Sequence, residues 1–295
     1  MTILLAIQGA AAQGLLYGLM ALGVYITFKV LDFADMTVDG AFACGGCVCA
    51  VLITAGVHPM ISLLIAILAG MLAGLVTGLL NAVLKIPAIL AGILTQIALY
   101  SINLRIMSGK SNLPLLRLPT SFTLLGDRFG MKDSTATLIL GFVIVLAVIG
   151  VLYWFFGTEI GSAIRATGNN EFMVRALGGN TNTTKILALM LANSLVALSG
   201  ALVTQYQKYA DVTMGIGTIV IGLAAIVIGE VVFGAKRSFA YRLATVIGGT
   251  ILYRIVIAVV LQLGLKSSDL KLFTAVIVAA ALSVPQLLPA KKNKN

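Results

Sequence analysis

Charged residues are scarce in this chain of 295 residues, since they make up 10% of it and hydrophobic residues make up 60%. A soluble domain carries about 25% charged residues. The mean hydropathy is +1.07, and apolar runs of about 18 or more residues recur, each long enough to cross a bilayer as a helix. The composition excludes a soluble globular domain. It predicts an all-α polytopic integral membrane helical bundle.

Histidine and cysteine are scarce as well. The one histidine is His58, and the three cysteines lie together in CGGCVC, at Cys44, Cys47 and Cys49. Because this stretch lies in an apolar run, small residues packed between helices are favoured over redox or metal chemistry. We therefore expect no disulfide framework, no metal and no cofactor bound by this chain itself.

Catalytic motifs are missing too. The sequence has no HExxH, no paired histidines and no GxSxG. Gly109-Lys110-Ser111 resembles the end of a phosphate-binding loop, but the glycine required five residues before Gly109 is Leu104. We predict a transporter rather than an enzyme, without an ATPase of its own. Uphill transport would then draw on an ion gradient or on another subunit.

Nine apolar segments are predicted as membrane spans of a single domain, residues 1–295, with broken or re-entrant elements. The predicted spans are 3–28, 38–55, 60–84, 87–107, 136–156, 184–205, 214–235, 240–262 and 270–288. The third contains Gly70, Gly74 and Gly78 at four-residue spacing, which lets helices approach closely in lipid.

Basic residues set the predicted orientation. With the C-terminal KKNKN inside the cell, nine spans place the N-terminus outside, and eleven lysines and arginines then lie inside against eight outside. This N-out/C-in arrangement makes 108–135 an extracellular loop and 157–183 a cytoplasmic loop. The net charge of +10 is scattered among loops, so it reports orientation and predicts no nucleic-acid partner. A multi-pass protein of a bacterial cytoplasmic membrane is expected.

Polar side chains inside the spans are candidates for the lining of a solute pathway. They are Gln13, Tyr17, Gln96, Tyr100, Asn103 and Asn193. The first two are four residues apart and share a helix face, and the next three form a similar stripe. Interhelical hydrogen bonds in a packed bundle are the alternative for any single residue. The two stripes together favour a pathway.

Two charges lie within the spans, Glu230 and Arg254. Charges at membrane depth are costly and mark functional candidates. We predict that these two side chains approach each other across neighbouring helices. Such an ion pair would either fix the helix register or take part in gating.

An acidic patch, DFADMTVDG at residues 32–40, separates the first two predicted spans. One interpretation is a solvated loop in which Thr37 or Asp39 caps the second span. The other places part of this turn at a helix break inside the membrane, where the freed backbone groups line a cavity. Asp35 and Asp39 are therefore also candidates for the pathway.

Loop 157–183 contains two predicted short helices. The first covers 159–167, with Thr158 as its N-cap and Gly168 at its end. Asn169 would cap the second, 170–177, which the glycines at 178–179 would terminate. An i,i+4 pair of Glu171 and Arg175 is expected on one face. The segment would either lie on lipid headgroups or dock a partner protein.

The run GSAIRATGNNEFMVRALGGNTNTTK resembles the cytoplasmic coupling segment of ABC importer permeases of the branched-chain amino acid and ribose type. That family shows the pattern G-x-x-x-RA-x-G-x-N-x-x-x-A-x-x-x-G there, and Val174 stands in place of its alanine. The matching residues are Gly161, Arg165, Ala166, Gly168, Asn170 and Gly178.

Two further stretches resemble the same family. LLYGLMALGVYITFKVLDFADMTVDGAFACGG is similar to its first-span region, although the family's Asn-Phe-Ala-His-Gly pattern is replaced by residues 32–36 here. GIGTIVIGLAAIVIGEVVFGAKRS is similar to a late glycine-rich span, with Glu230 where many members have a second glycine. These variants are most similar to a tryptophan/tyrosine-type subgroup.

The resemblance implies a permease subunit of an ABC importer, with an amino acid, preferably an aromatic one, as its solute. It implies a second permease copy in a homodimer, a cytoplasmic ABC ATPase dimer that binds ATP-Mg, and an extracellular solute-binding (lipo)protein. Arg117 and Arg128 would bind acidic side chains of that protein. The implied ATPase-coupling residues are Arg165, Asn170, Glu171, Phe172, Met173, Arg175, Leu177 and Gly178. The alternatives are an ion-coupled secondary transporter, or a branched-chain amino acid or sugar permease.

Overall fold

The structure, a computed structural model, describes residues 2–131, 133–234, 238–263, 272–276, 279 and 283. Its helices are α1 (Thr2–Tyr25, continued by a π-helical turn, Ile26–Val30), α2 (Thr37–Thr54), α3 (Pro59–Ala82), α4 (Ala88–Ile106), α5 (Ser121–Phe129), α6 (Asp133–Gly157), α7 (Glu159–Asn169), α8 (Glu171–Ala176), α9 (Thr181–Gln207), α10 (Thr218–Phe233) and α11 (Phe239–Gln262). The strands β1 (Asn112–Pro114) and β2 (Tyr209–Asp211) pair antiparallel.

Seven helices among the described residues are long and apolar enough to cross a membrane, and α10 is a shorter apolar helix. Together they match eight of the nine predicted spans, with ends that differ by no more than about four residues. The ninth predicted span, 270–288, lies mostly outside the described residues. The predicted all-α membrane bundle is confirmed.

Helix α9 forms the centre of the bundle and packs against α1, α2 and α3. Small residues allow this close packing. A Cβ on Gly74 of α3 would collide with the backbone of Leu189, and one on Gly45 of α2 would collide with that of Ala197. A Cβ on Gly78 would lie only 3.0 Å from the Cα of Ile186. The glycines predicted to bring helices together therefore do so.

The chain leaves helical structure between Val30 and Thr37 and re-enters the bundle there. Asp35 is fully buried in this turn. Its carboxylate accepts hydrogen bonds from the backbone N–H of Thr37, over 2.9 Å, and from Nδ2 of Asn193, over 2.8 Å. Because Asn193 lies near the middle of α9, the turn and the start of α2 lie at membrane depth. A helix break inside the membrane was one of the two predicted interpretations of this turn.

Segment 108–135 is more ordered than a connecting loop. It contains β1, helix α5 and the first residues of α6. Thr120 begins α5 with a capping box to Thr123. The backbone N–H of Ser121 donates to Oε1 of Gln205 over 2.8 Å, which ties α5 to the end of α9.

Candidate functional site

A cavity of about 490 Å³ lies between the start of α2, residues 93–103 of α4 and the segment 212–216. Its apolar lining comes from Ile93, Ile97, Val212 and Ile216. Its polar lining comes from Asp39, Gln96, Tyr100, Ser101 and Asn103. Four of the predicted pathway residues thus meet at one cavity, at the level where α2 begins.

Asp39 has a specific structural role at this cavity. Its carboxylate accepts hydrogen bonds from the backbone N–H groups of Gly217 and Ile219, over 2.8 and 3.0 Å, and from the Thr218 hydroxyl, over 3.0 Å. It therefore caps the N-terminus of α10. The prediction that Thr37 or Asp39 caps α2 is wrong, because the cap residue of α2 is Met36 and Asp39 already lies within its first turn. Two helices begin beside one another here, and their positive dipole ends face the same carboxylate.

The stripe on α4 ends in a buried amide. Tyr100 is 48% exposed and offers its ring to the cavity, whereas Asn103 is 1% exposed. Within the described residues neither Nδ2 nor Oδ1 of Asn103 has a hydrogen-bond partner. A buried amide without partners costs about 1–3 kcal/mol. The Asn103 amide therefore has a donor and an acceptor that are unused next to the cavity.

The other predicted pathway residues lie away from this cavity. The ring of Tyr17 stacks on that of Phe42, with centroids 5.5 Å apart. Asp35 and Asn193 bind each other within the bundle. Gln13 is half-buried on α1 and does not line the cavity. Tyr17 therefore packs within the bundle, and a pathway role for the α1 stripe stays a prediction.

A chain of three buried hydroxyls was not anticipated from the sequence. The Thr37 and Thr77 hydroxyls lie 2.6 Å apart, and that of Thr77 donates to Thr95 over 3.0 Å. These hydrogen bonds join α2, α3 and α4 to one another. Threonine in an apolar span gives little signal, because its hydroxyl can also bond to the backbone of its own helix.

The predicted approach of Glu230 and Arg254 is wrong. Glu230 forms an ion pair with Lys29, over 3.1 Å. The guanidinium carbon of Arg254 lies 3.6 Å from the centroid of the Tyr17 ring. Helices α10 and α11 are antiparallel, because Gly229 approaches Thr245 and Gly249 approaches Ala225. In this register the two charges are about ten residues, or about 15 Å, apart along the axis.

The short helices of loop 157–183 form as predicted, with shifted ends. Thr158 caps α7, accepting from the N–H of Gly161 over 3.3 Å. Gly168 does not end α7, which continues to Asn169. The cap of α8 is Asn170 rather than Asn169, and it accepts from Met173 over 3.0 Å. Gly178 has a φ of +84°, as expected for a glycine that follows a helix.

Glu171 holds α8 against the start of α9. Its carboxylate accepts from Lys185 over 2.6 Å and also pairs with Arg175, as predicted. The hydroxyl of Thr181 donates to it over 3.2 Å. Burial tends to raise the pKa of Glu171, but the bonds from Lys185 and Thr181 and the charges of Lys185 and Arg175 lower it below its usual value.

The two arginines of this segment face their own chain. Arg165 donates to the Phe156 carbonyl over 2.8 Å and lies 5.8 Å from the ring centroid of Phe239. The Nε of Arg175 donates to the hydroxyl of Thr181 over 2.7 Å. Both guanidinium groups thus brace the segment. Contact of either one with an ATPase remains a prediction.

Phe172 and Met173 of α8 and Leu177 just after it are exposed, whereas Val174 of α8 is buried. Phe172 is 80% exposed, Leu177 is 78% exposed, and Met173 is half-exposed. At the other end of the bundle Arg117 and Arg128 are both exposed. Arg117 has a φ of +67° in the turn after β1, and Arg128 lies in the last turn of α5.

The fold is similar to a solved structure of an ABC transporter. That protein is described as of metal-chelate type and in an inward-facing conformation. The TM-score is 0.53 with 16% identity, over 96% of this chain and 85% of the other. The two chains thus share a fold over most of their lengths.

The chain belongs to the branched-chain amino acid transport system permease family, whose model it matches over residues 6–282. It is 43% identical over 283 residues to a tyrosine transport system permease protein of Clostridioides difficile, covering 96% of this chain and 92% of the relative. It is 30% identical over 217 residues to a ribose import permease protein of Bacillus subtilis, covering 72% and 64%. The chain is accordingly a multi-pass permease of the bacterial cytoplasmic membrane.

Proposed function

We propose that this permease imports an amino acid, and that an aromatic amino acid such as tyrosine, phenylalanine or tryptophan is its solute. The cavity at Asp39 carries the proposal. A solute with an apolar ring and a zwitterionic head needs apolar walls and a few polar groups at one end. Ile93, Ile97 and Tyr100 supply the walls. Similarity to a tyrosine transport permease supports the same solute class.

The energy comes from a separate cytoplasmic ATPase dimer that binds ATP-Mg. The exposed Phe172, Met173 and Leu177 fit into a groove of that subunit, since neighbouring apolar side chains left exposed mark protein interaction sites. Glu171 fixes their position through Lys185 and Arg175. Closure of the ATPases then moves α8 and the start of α9 together as a rigid body.

Two further partners complete the importer. A second copy of the permease forms a homodimer in which the open side of the cavity faces the shared axis. An extracellular solute-binding (lipo)protein delivers the solute to segment 108–135, where Arg117 and Arg128 bind its acidic side chains. The contact with the binding protein follows from the predicted orientation, which makes segment 108–135 extracellular.

Uptake into liposomes tests the solute. The permease is reconstituted with the ATPase and binding protein encoded beside it, and ATP-driven uptake of labelled tyrosine, phenylalanine, tryptophan, leucine and ribose is compared. Aromatic amino acids should be taken up at least tenfold faster than leucine or ribose. Preference for leucine or ribose would instead identify a branched-chain amino acid or sugar permease.

Two substitutions on α4 test the dependence of this uptake on the cavity. Tyr100→Ala removes a ring from the lining and should lower the uptake of tyrosine. Ile102→Ala is the matched control, because Ile102 is exposed on the same helix and does not line the cavity. Equal loss of uptake in both variants would contradict the assigned cavity.

A further inference from the structure

A second cavity, of about 330 Å³, lies at the predicted cytoplasmic end of the bundle. Three separate elements each provide a cation to its lining. Lys29 comes from the π-helical turn after α1, Arg165 from α7 and Arg242 from the first turns of α11. The amide of Asn169 and the phenol of Tyr25 add neutral polar groups.

The positive charge of this cavity is only partly neutralised. Among the described residues, Glu230 is the one carboxylate that forms an ion pair with any of the three cations, and it binds Lys29. Arg165 donates to a backbone carbonyl, and Arg242 lies beside the phenol of Tyr25. Two positive charges therefore remain without a carboxylate, in a recess suited to an anion.

An aromatic cavity of about 490 Å³ adjoins the basic one. The two share Arg165 and Phe239 in their linings. The aromatic cavity is also lined by Tyr153 and Trp154 near the end of α6, and Trp154 is 70% exposed. Tyrosine and tryptophan at the end of a membrane span mark the boundary between lipid and water. The cations thus lie where the headgroups of the inner leaflet are expected.

We propose that an anionic phospholipid of the inner leaflet binds at these joined cavities. Its phosphodiester lies between Lys29, Arg165 and Arg242, and its glycerol and acyl chains lie against Trp154 and Phe239. Basic pockets between membrane helices on the cytoplasmic side are suited to such headgroups. Free phosphate shares the anionic chemistry, but it leaves the aromatic cavity unoccupied. The bound lipid joins α7 to α1 and α11, and so stiffens the segment next to α8.

Native mass spectrometry of the full-length permease in detergent measures this binding. The protein is titrated with phosphatidylglycerol, phosphatidylethanolamine or inorganic phosphate. Phosphatidylglycerol should remain bound, with about one molecule per chain at this site, and the other two should not. Equal retention of phosphatidylethanolamine, or displacement of phosphatidylglycerol by phosphate at equal concentration, would overturn the lipid assignment.

Variants locate the site. Arg242→Gln should bind phosphatidylglycerol about fivefold more weakly, the effect expected for one basic residue near an anionic lipid surface. Lys110→Gln, an exposed cation at the other end of the bundle, should bind as the unmodified chain does. Equal affinity of Arg242→Gln and the unmodified chain would contradict the proposal.

A third variant keeps the test decisive if Arg242→Gln fails to fold. Glu230→Gln removes the carboxylate that partly neutralises the cavity. It should therefore bind phosphatidylglycerol more tightly, and unchanged or weaker binding would also contradict the proposal. None of these measurements depends on the identity of the transported solute.

Discussion

The carboxylate of Asp39 accepts a hydrogen bond from the backbone N–H of Gly217, over 2.8 Å, although 178 positions separate the two residues. Asp39 lies in the first turn of α2, and Gly217 precedes the first residue of α10. The start of one helix is therefore held by a side chain at the start of another. The cavity lined by Asp39 and Tyr100, which we propose as the solute site, lies at this junction.

Asp39→Ala should destabilise the permease. The substitution removes the cap of α10, and loss of such a cap costs about 0.5–2 kcal/mol. Asp39→Asn should retain part of this stability, since an amide oxygen still accepts one hydrogen bond. The thermal unfolding midpoint of the purified protein measures the effect, with Asp127→Ala, an exposed site on α5, as control. A midpoint for Asp39→Ala equal to that of the control would contradict the capping role.

Asn103→Leu should lower uptake of the solute without lowering the stability of the permease. Replacing an unpartnered buried amide by an apolar side chain of similar size should leave stability unchanged or raise it by about 1 kcal/mol. If the solute uses that amide, uptake should nevertheless fall at least tenfold. Thermal unfolding and liposome uptake are measured on the same preparation. A variant that is stable and transports normally would remove Asn103 from the recognition of the solute.

Phe172→Ala should uncouple transport from ATP hydrolysis. The side chain is 80% exposed, so its truncation should change permease stability by less than about 0.5 kcal/mol. Loss of a buried aromatic anchor at an interface costs about 2 kcal/mol or more, and uptake driven by the ATPase should fall by at least tenfold. Phe129→Ala, exposed on α5, is the matched control. Normal uptake by Phe172→Ala would refute the coupling contact.

Glu171 should make stability depend on pH. Its pKa is lower in the folded chain than the ordinary value of about 4.3. The ionised form therefore stabilises the fold above that ordinary value, and this contribution is lost as the pH falls through the lower, folded-state pKa. Glu171→Gln should lose about 0.5–1 kcal/mol at pH 7, allowing for partial exposure.

The pH dependence can be isolated with a second carboxylate of the same segment. The difference in unfolding midpoint between Glu171→Gln and the unmodified chain should keep its pH 7 value down to about pH 5 and shrink as the pH falls below about 4. Glu159→Gln is the control, because Glu159 is exposed and forms no ion pair within the described residues. A difference that is independent of pH would show that the ion pairs of Glu171 do not stabilise α8.

Two glycines in membrane helices should respond in opposite ways to alanine. A Cβ on Gly74 would collide with the backbone of Leu189, whereas a Cβ on Gly150 meets no atom within 4 Å. Gly74→Ala should destabilise the bundle by about 1–3 kcal/mol, because α3 and α9 must separate. Gly150→Ala should be neutral or slightly stabilising, since alanine favours helix. Equal unfolding midpoints would contradict the packing of α3 on α9.

Local patterns in the sequence predicted much of this fold. Hydropathy located eight spans, since an apolar run must match the membrane thickness. Caps in loop 157–183 were predicted to within two residues, because Thr158, Asn170 and Gly178 act on neighbouring backbone groups. The spacing of Gln96, Tyr100 and Asn103 placed them on one face, and the structure puts that face at a cavity.

Relationships between distant segments were not predictable from spacing. Glu230 and Arg254 lie on adjacent helices, but the antiparallel register separates them, and Glu230 pairs instead with Lys29, from the turn after α1. Asp39 caps a helix 178 positions away rather than its own. The stripe at Gln13 and Tyr17 has the same spacing as a pathway face, yet Tyr17 packs on Phe42. Helix periodicity predicts on which face of its own helix a residue lies. It does not predict which residue of another helix lies beside it.

Helix α9 runs without a break from Thr181 to Gln207, which is about 40 Å at the rise of an α-helix. At one end Thr181 bonds to Arg175 and Glu171 of α8. At the other end Gln205 accepts from the first residue of α5. Helices α8 and α5 are thus attached to opposite ends of one continuous helix. A rigid tilt of α9 would therefore displace α8 at one end and α5 at the other, so both ends of the bundle would respond to a single mechanical input.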